Sequence, residues 1–138
     1  MIEIEEKAGE NGTKCFFIIL KDEDNENILT PVSMLYTLVD SDENVINNVE
    51  QAVVDPAELG ATTITVDGTA KASTKIVLSG DDLQITADEH NNRRVQRAGY
   101  VLRDLVIEAT YDGVCGNGLP KNEYIRFPIE NIPYIGKP

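Results

Sequence analysis

The sequence predicts an all-β fold, a sandwich or barrel of about seven to eight short strands, on three observations. Apolar and polar residues alternate with period two in short runs, turn-forming residues bound those runs, and no segment carries a long stripe at helical spacing. The 138 residues suit a single domain spanning 1–138, since two separate cores would each be marginal. A hydrophobic fraction of 41% and a charged fraction of 26% are those of a folded globular chain.

The first strand is expected at Lys14-Cys15-Phe16-Phe17-Ile18-Ile19-Leu20, rich in residues that favour a pleated surface, and it ends at the polar turn 21–27. Pro31 excludes helix for Thr30, and the β pattern resumes from Ser33 to Val39, with Met34, Tyr36 and Leu38 sharing one face. A polar turn at 40–44 and a short return through Val45-Ile46-Asn47 read as a hairpin. Between Val49 and Gly60 the chain reads as a loop with one helical turn at Pro56-Ala57-Glu58-Leu59.

Strands follow at 62–66 and at Lys75-Ile76-Val77-Leu78, the latter stopped by Ser79-Gly80-Asp81-Asp82, with Leu83-Gln84-Ile85 as a continuation on another path. Residues 88–94 read as a loop. Val101 to Tyr111 is the strongest late strand: Leu105, Ile107, Ala109 and Tyr111 point one way and Val106, Glu108 and Thr110 the other. After a glycine-rich loop, Glu123 to Ile129 forms the last strand, whose Pro128 favours an edge or the strand's end.

Phe16 to Leu20, Thr30 to Leu38 and Asp42 to Asn47 together resemble the first half of an immunoglobulin-like or fibronectin-III-like domain, with Tyr36 at the aromatic core position. Ile76 to Leu83, Ile107 to Asp112, Gly116 to Pro120 and Arg126 to Glu130 resemble small proteins encoded among the virion genes of tailed bacteriophages. The resemblance covers most of residues 14–132 and implies an immunoglobulin-like antiparallel β-sandwich with an insertion near 54–72 and flexible termini. It also implies a non-enzymatic structural role in decoration, docking or head-to-tail joining, and several symmetric copies bound to other phage virion proteins. The location implied is the virion, after synthesis in the host cytoplasm. Tyr36 in place of tryptophan, and cysteines outside the two core positions, depart from the antibody-type pattern.

The net charge of −12, from 24 acidic and 12 basic residues, repels phosphate backbones and anionic lipid headgroups, so neither nucleic acid nor membrane is expected as a partner. Residues 1–6 lack the basic region and apolar run of a secretory signal, which agrees with cytoplasmic synthesis and with Cys15 and Cys115 as reduced thiols. The longest apolar stretch, Cys15 to Leu20, is six residues, against about 20 for a membrane-crossing helix.

Candidate chemistry is sparse. The sequence has one histidine, His90, set among Asp88, Glu89, Asn91 and Asn92, and an exposed, idle loop residue is the expectation. No nucleophile-elbow, paired-histidine or phosphate-loop motif occurs, so no catalytic residue and no cofactor is expected. Asp22 to Asn27 gathers hard oxygen ligands, but counting from Asp22 the sixth and twelfth positions hold Asn27 and Ser33 where a calcium loop needs Gly and Glu. A solvated hairpin tip is expected there, without a metal.

Arg93, Arg94, Arg97 and Arg103 stand out, because four of the five arginines of an acidic chain gather around one loop and strand entry. Two readings stay open. The planar guanidinium groups dock a carboxylate-bearing partner, or they neutralise Asp88, Glu89 and Asp104 locally. A carbohydrate- or receptor-binding module is the alternative function, with Tyr100, Tyr111, Tyr124 and Tyr134 stacking on sugar rings, though the chain has no tryptophan.

Overall fold

The computed structural model describes residues 2–4 and 6–131. Tyr134 and the flexibility expected of the C-terminal end lie outside the described residues. The fold is mixed α/β, with two sheets, one of them a half-barrel, and a small helical segment, and this corrects the expected all-β immunoglobulin-like sandwich. The described strands are β1 (Ile2–Glu3), β2 (Ala8–Gly9), β3 (Thr13–Ile18), β4 (Ser33–Val39), β5 (Ala52–Val53), β6 (Thr62–Val66), β7 (Thr69–Ser79), β8 (Tyr100–Gly113) and β9 (Gly116–Glu130). Helices α1 (Ala87–His90) and α2 (Arg93–Ala98) lie between β7 and β8, and 3-10 turns span Pro56–Glu58 and Gly80–Leu83.

The larger sheet runs β1-β9-β8-β4-β5, with β2 also on β9, and the smaller runs β3-β7-β6. Two features break the immunoglobulin-like pattern. First, β1 and β2 pair with β9 in parallel, Ile2 opposite Ile125 and Ala8 opposite Ile129, where that sandwich was expected to be antiparallel throughout. Second, the expected loop 88–94 is largely helical. Thr86 and Glu89 form a reciprocal capping box at the start of α1, Asn92 caps α2, and Gly99 ends α2 with φ of 76°, a conformation that favours glycine. Helices of four and six residues are too short to show a periodic stripe.

β8 and β9 form one long hairpin that turns at Val114-Cys115, so much of the expected glycine loop is strand. Pro128 lies inside β9, not at its end or on a bare edge. The parallel ladders of β1 and β2 engage Ile125 and Arg126, then Ile129 and Glu130, and Pro128 falls in the interval between them. On that side no ladder bond is asked of its missing N–H.

Leu83 belongs to a 3-10 turn, and the expected strand at 45–47 shrinks to a single bridge between Val39 and Val45. The span 54–72 supplies the Pro56–Glu58 turn, β6 and the start of β7. β8 buries Val101, Arg103, Leu105, Ile107, Ala109 and Tyr111, which includes the face its alternation predicts. Phe16 of the smaller sheet meets Phe127 of the larger edge to face, ring centroids 4.9 Å apart, so the core lies between the sheets. Each large apolar side chain buried there contributes about 1.5–3 kcal/mol.

Candidate interaction site

The helical segment separates the arginines into two kinds. Arg93, Arg94 and Arg97 are on α2 and exposed, whereas Arg103 is on β8, points into the core and is 1% exposed. Arg103 donates through Nη1 to Glu89 Oε2 at 2.7 Å and through Nη2 to Glu89 Oε1 at 2.5 Å, and further to the carbonyls of Leu102 and Gln84. Burial alone would raise the Glu89 carboxyl, but the bonds from Arg103 and from the Thr86 N–H outweigh it and hold Glu89 below its ordinary range.

The surface cluster therefore comprises three arginines, and Arg103 is removed from it by burial. Local neutralisation describes Glu89 with Arg103 only. Asp104 is taken by Arg126, whose Nε lies 2.9 Å from its Oδ1. Asp88 is exposed and pairs with none of them, and among the described residues no carboxylate forms an ion pair with Arg93, Arg94 or Arg97.

His90 is not idle. Its Nε2 lies 2.8 Å from Oε2 of Glu10, a carboxylate whose side chain is 8% exposed. Glu10 directly follows β2 and Asn131 directly follows β9, strands whose parallel register sets Ala8 opposite Ile129 and Gly9 opposite Glu130. Glu10 Oε1, Arg103 Nε and both side-chain polar atoms of Asn131 are buried without a hydrogen-bond partner among the described residues. Sequence reasoning missed Glu10 and Asn131, which lie far from His90 along the chain. The Thr86-x-x-Glu89 spacing was a readable sign of a helix start.

Asp22 to Asn27 is a hairpin tip whose oxygens serve the protein itself. Asp22 Oδ1 accepts from the N–H groups of Asp24 and Glu26, and Asn27 exchanges two bonds with the backbone of Ala72. Glu23 reaches across to the β8–β9 turn, accepting from Tyr111 Oη and from Val114 N. The hydrogen bond to Glu23, with burial and the neighbouring carboxylates, pushes the Tyr111 hydroxyl up to about 12, and the same bond draws Glu23 down.

Tyr111 is thus engaged, Lys7 lies 5.2 Å over the ring of Tyr100, and Tyr124 is 39% exposed on β9. Cys15 and Cys115 are both exposed and unbridged. Among the described residues no helix is long and apolar enough to cross a membrane. No protein-family model matches the chain, and no curated protein and no solved structure matches it.

Proposed function

We propose that this chain is a non-catalytic structural module that binds an acidic neighbouring protein through Arg93, Arg94 and Arg97, as a docking, decoration or joining component of a phage particle. The placement of these three side chains supports the reading. Arg93 and Arg94 occupy the first turn of α2, where the helix dipole disfavours positive charge, and Arg93 and Arg97 are like charges four residues apart. Local physics opposes Arg93 and Arg94, and although the helix dipole favours Arg97 in the last turn, no carboxylate of the fold pairs with any of the three among the described residues. Residues that a fold holds against local preference are expected where function requires them.

The mechanism is electrostatic. Guanidinium forks meet carboxylates of the partner, the surrounding acidic surface repels wrong orientations, and apposed like charges at such a contact cost several kcal/mol. The role in a phage particle comes from the sequence resemblance; finding genes for portal, capsid or tail proteins beside this one would support it, whereas a metabolic operon would overturn it. The direct test is the copy number of the R93E/R94E/R97E protein in purified particles, measured beside its melting temperature. Loss from particles with the fold intact supports docking. Full incorporation of the folded variant refutes it.

A further inference from the structure

The smaller sheet differs from the rest of the molecule in charge. β3, β6 and β7 hold Lys14, Lys71 and Lys75 and no Asp or Glu, in a chain of net charge −12, and Lys21 follows just beyond β3. Lys14 meets Glu6 at 3.6 Å, while Lys21, Lys71 and Lys75 have no ion pair among the described residues.

Among the described residues β3 is also an edge strand. β7 pairs with one side of it in unbroken register from Thr13 to Ile18, and among the described residues no strand pairs with the other side. Proteins guard such edges with proline, bulges, charge or very short strands; β3 has six residues, no proline and no bulge, and its one inward charge, Lys14 on the face of Phe16 and Ile18, is paired with Glu6. A groove of about 430 Å³ follows this edge, lined by every residue from Lys14 to Ile19, by Ile64, and by Ile4 and Ile125 of the larger sheet's side. Glu6, paired with Lys14, and Glu123 complete the lining. Phe17, 44% exposed, stands opposite Lys75 in register, and Val77 beside them is 42% exposed.

We propose that β3 accepts an extended, acidic and apolar segment of another protein as an added strand. Its backbone continues the β3 ladder, alternate apolar side chains enter the groove on the side of Ile4 and Ile125, and its carboxylates lie on the opposite face, which Phe17 and Lys75 share. The charge pattern selects this occupant over a second copy of the chain. Two β3 edges paired with each other would bring two lysine-bearing faces together, and like charges across an interface oppose that contact. The site uses none of the α2 arginines, so it stands or falls apart from the docking role assigned to them.

The test is binding of the full chain to a fluorescent heptapeptide of alternating valine and glutamate, read by anisotropy. Its comparators are the same peptide with lysine for each glutamate, and the glutamate peptide N-methylated at alternate amides. The glutamate peptide is expected to bind at least about tenfold more tightly than the lysine peptide, with N-methylation removing binding. F17E, checked for native circular dichroism, is expected to weaken binding about tenfold, whereas V53E on the other sheet leaves it unchanged. Equal binding of the two charge types, full binding of the N-methylated peptide, or no binding of the glutamate peptide overturns the proposal. So does a concentration-dependent dimer in sedimentation that F17E abolishes, since the edge then belongs to a second copy.

Discussion

Arg103 and Glu89 form a two-pronged ion pair that ties the inward face of β8 to helix α1, with the guanidinium covered and both carboxylate oxygens engaged. A four-residue helix has almost no stability of its own, so this contact and the capping box hold it in place.

Removing the acid alone should therefore cost more than removing both partners. Glu89→Ala leaves a buried guanidinium uncompensated and should lower unfolding free energy in urea by about 3 kcal/mol, the low end for a buried pair because Glu89 is partly exposed. Arg103→Met combined with Glu89→Leu should recover most of that loss. Equal losses in the single and double variants would mean that the pair does not organise this end of the fold.

The same pair has a pH signature. Glu89 is held below 4.5 in the folded state, so its contribution is fully present above that value and is lost as pH falls through the lower folded value. Glu89→Gln should flatten the stability profile below about pH 4.5 while leaving the slope near neutrality unchanged. A denaturant series at stepped acidic pH measures it.

Tyr111 gives a signature at the other end of the scale. With its hydroxyl pushed up to about 12 from 10.0 in the unfolded chain, the neutral phenol is favoured by folding. The stability it lends is complete below pH 10.0 and disappears as pH rises toward about 12. An ultraviolet titration of tyrosinate should show Tyr111 ionising late, beside Tyr36, which burial also raises, and Glu23→Gln should bring Tyr111 alone back toward the others. Absence of a late phase in the wild-type protein would contradict the Glu23 contact.

The strands and their inward faces were legible where side-chain period and burial coincide. Leu105, Ile107 and Ala109 alternate because β8 has one face on the core, and Phe16 and Ile18 do so on β3. The parallel pairing of β1 and β2 was not legible, since two-residue strands carry no period and their partner β9 is more than a hundred residues away. The arginine cluster was visible as composition, but its division was not. Arg103 shares strand parity with Leu105, yet a charged residue on an inward face reads as an exception until its partner is known, and Glu89 lies across a helix boundary. Glu10 was invisible for the same reason, its contact with His90 being made by the fold and not by spacing.

The Phe16–Phe127 contact joins the sheets and should dominate their packing. Phe127→Ala should cost about 3–5 kcal/mol, through lost transfer energy and the cavity left behind. A double-mutant cycle with Phe16→Leu should show coupling of about 0.5–1.5 kcal/mol, as edge-to-face rings interact beyond their buried area. Additive effects would show that the two sheets pack independently at this point.

Arg93 allows the docking role to be separated from a stabilising one without any partner. It occupies the first position of α2, where a negative charge is favoured by the helix dipole, and it faces Arg97 four residues on. Arg93→Glu exchanges an unfavourable charge for a favourable one and converts a like-charged pair into an attractive pair in the better orientation. Each change is worth a few tenths of a kcal/mol on an exposed helix, so the variant should be more stable by about 0.5 kcal/mol, and the gain should shrink in high salt. A residue kept for local neutralisation predicts the reverse, a loss on substitution. Paired urea curves for wild type and Arg93→Glu at low and high salt decide it, and a clear destabilisation would place Arg93 in the service of the fold and not of a partner.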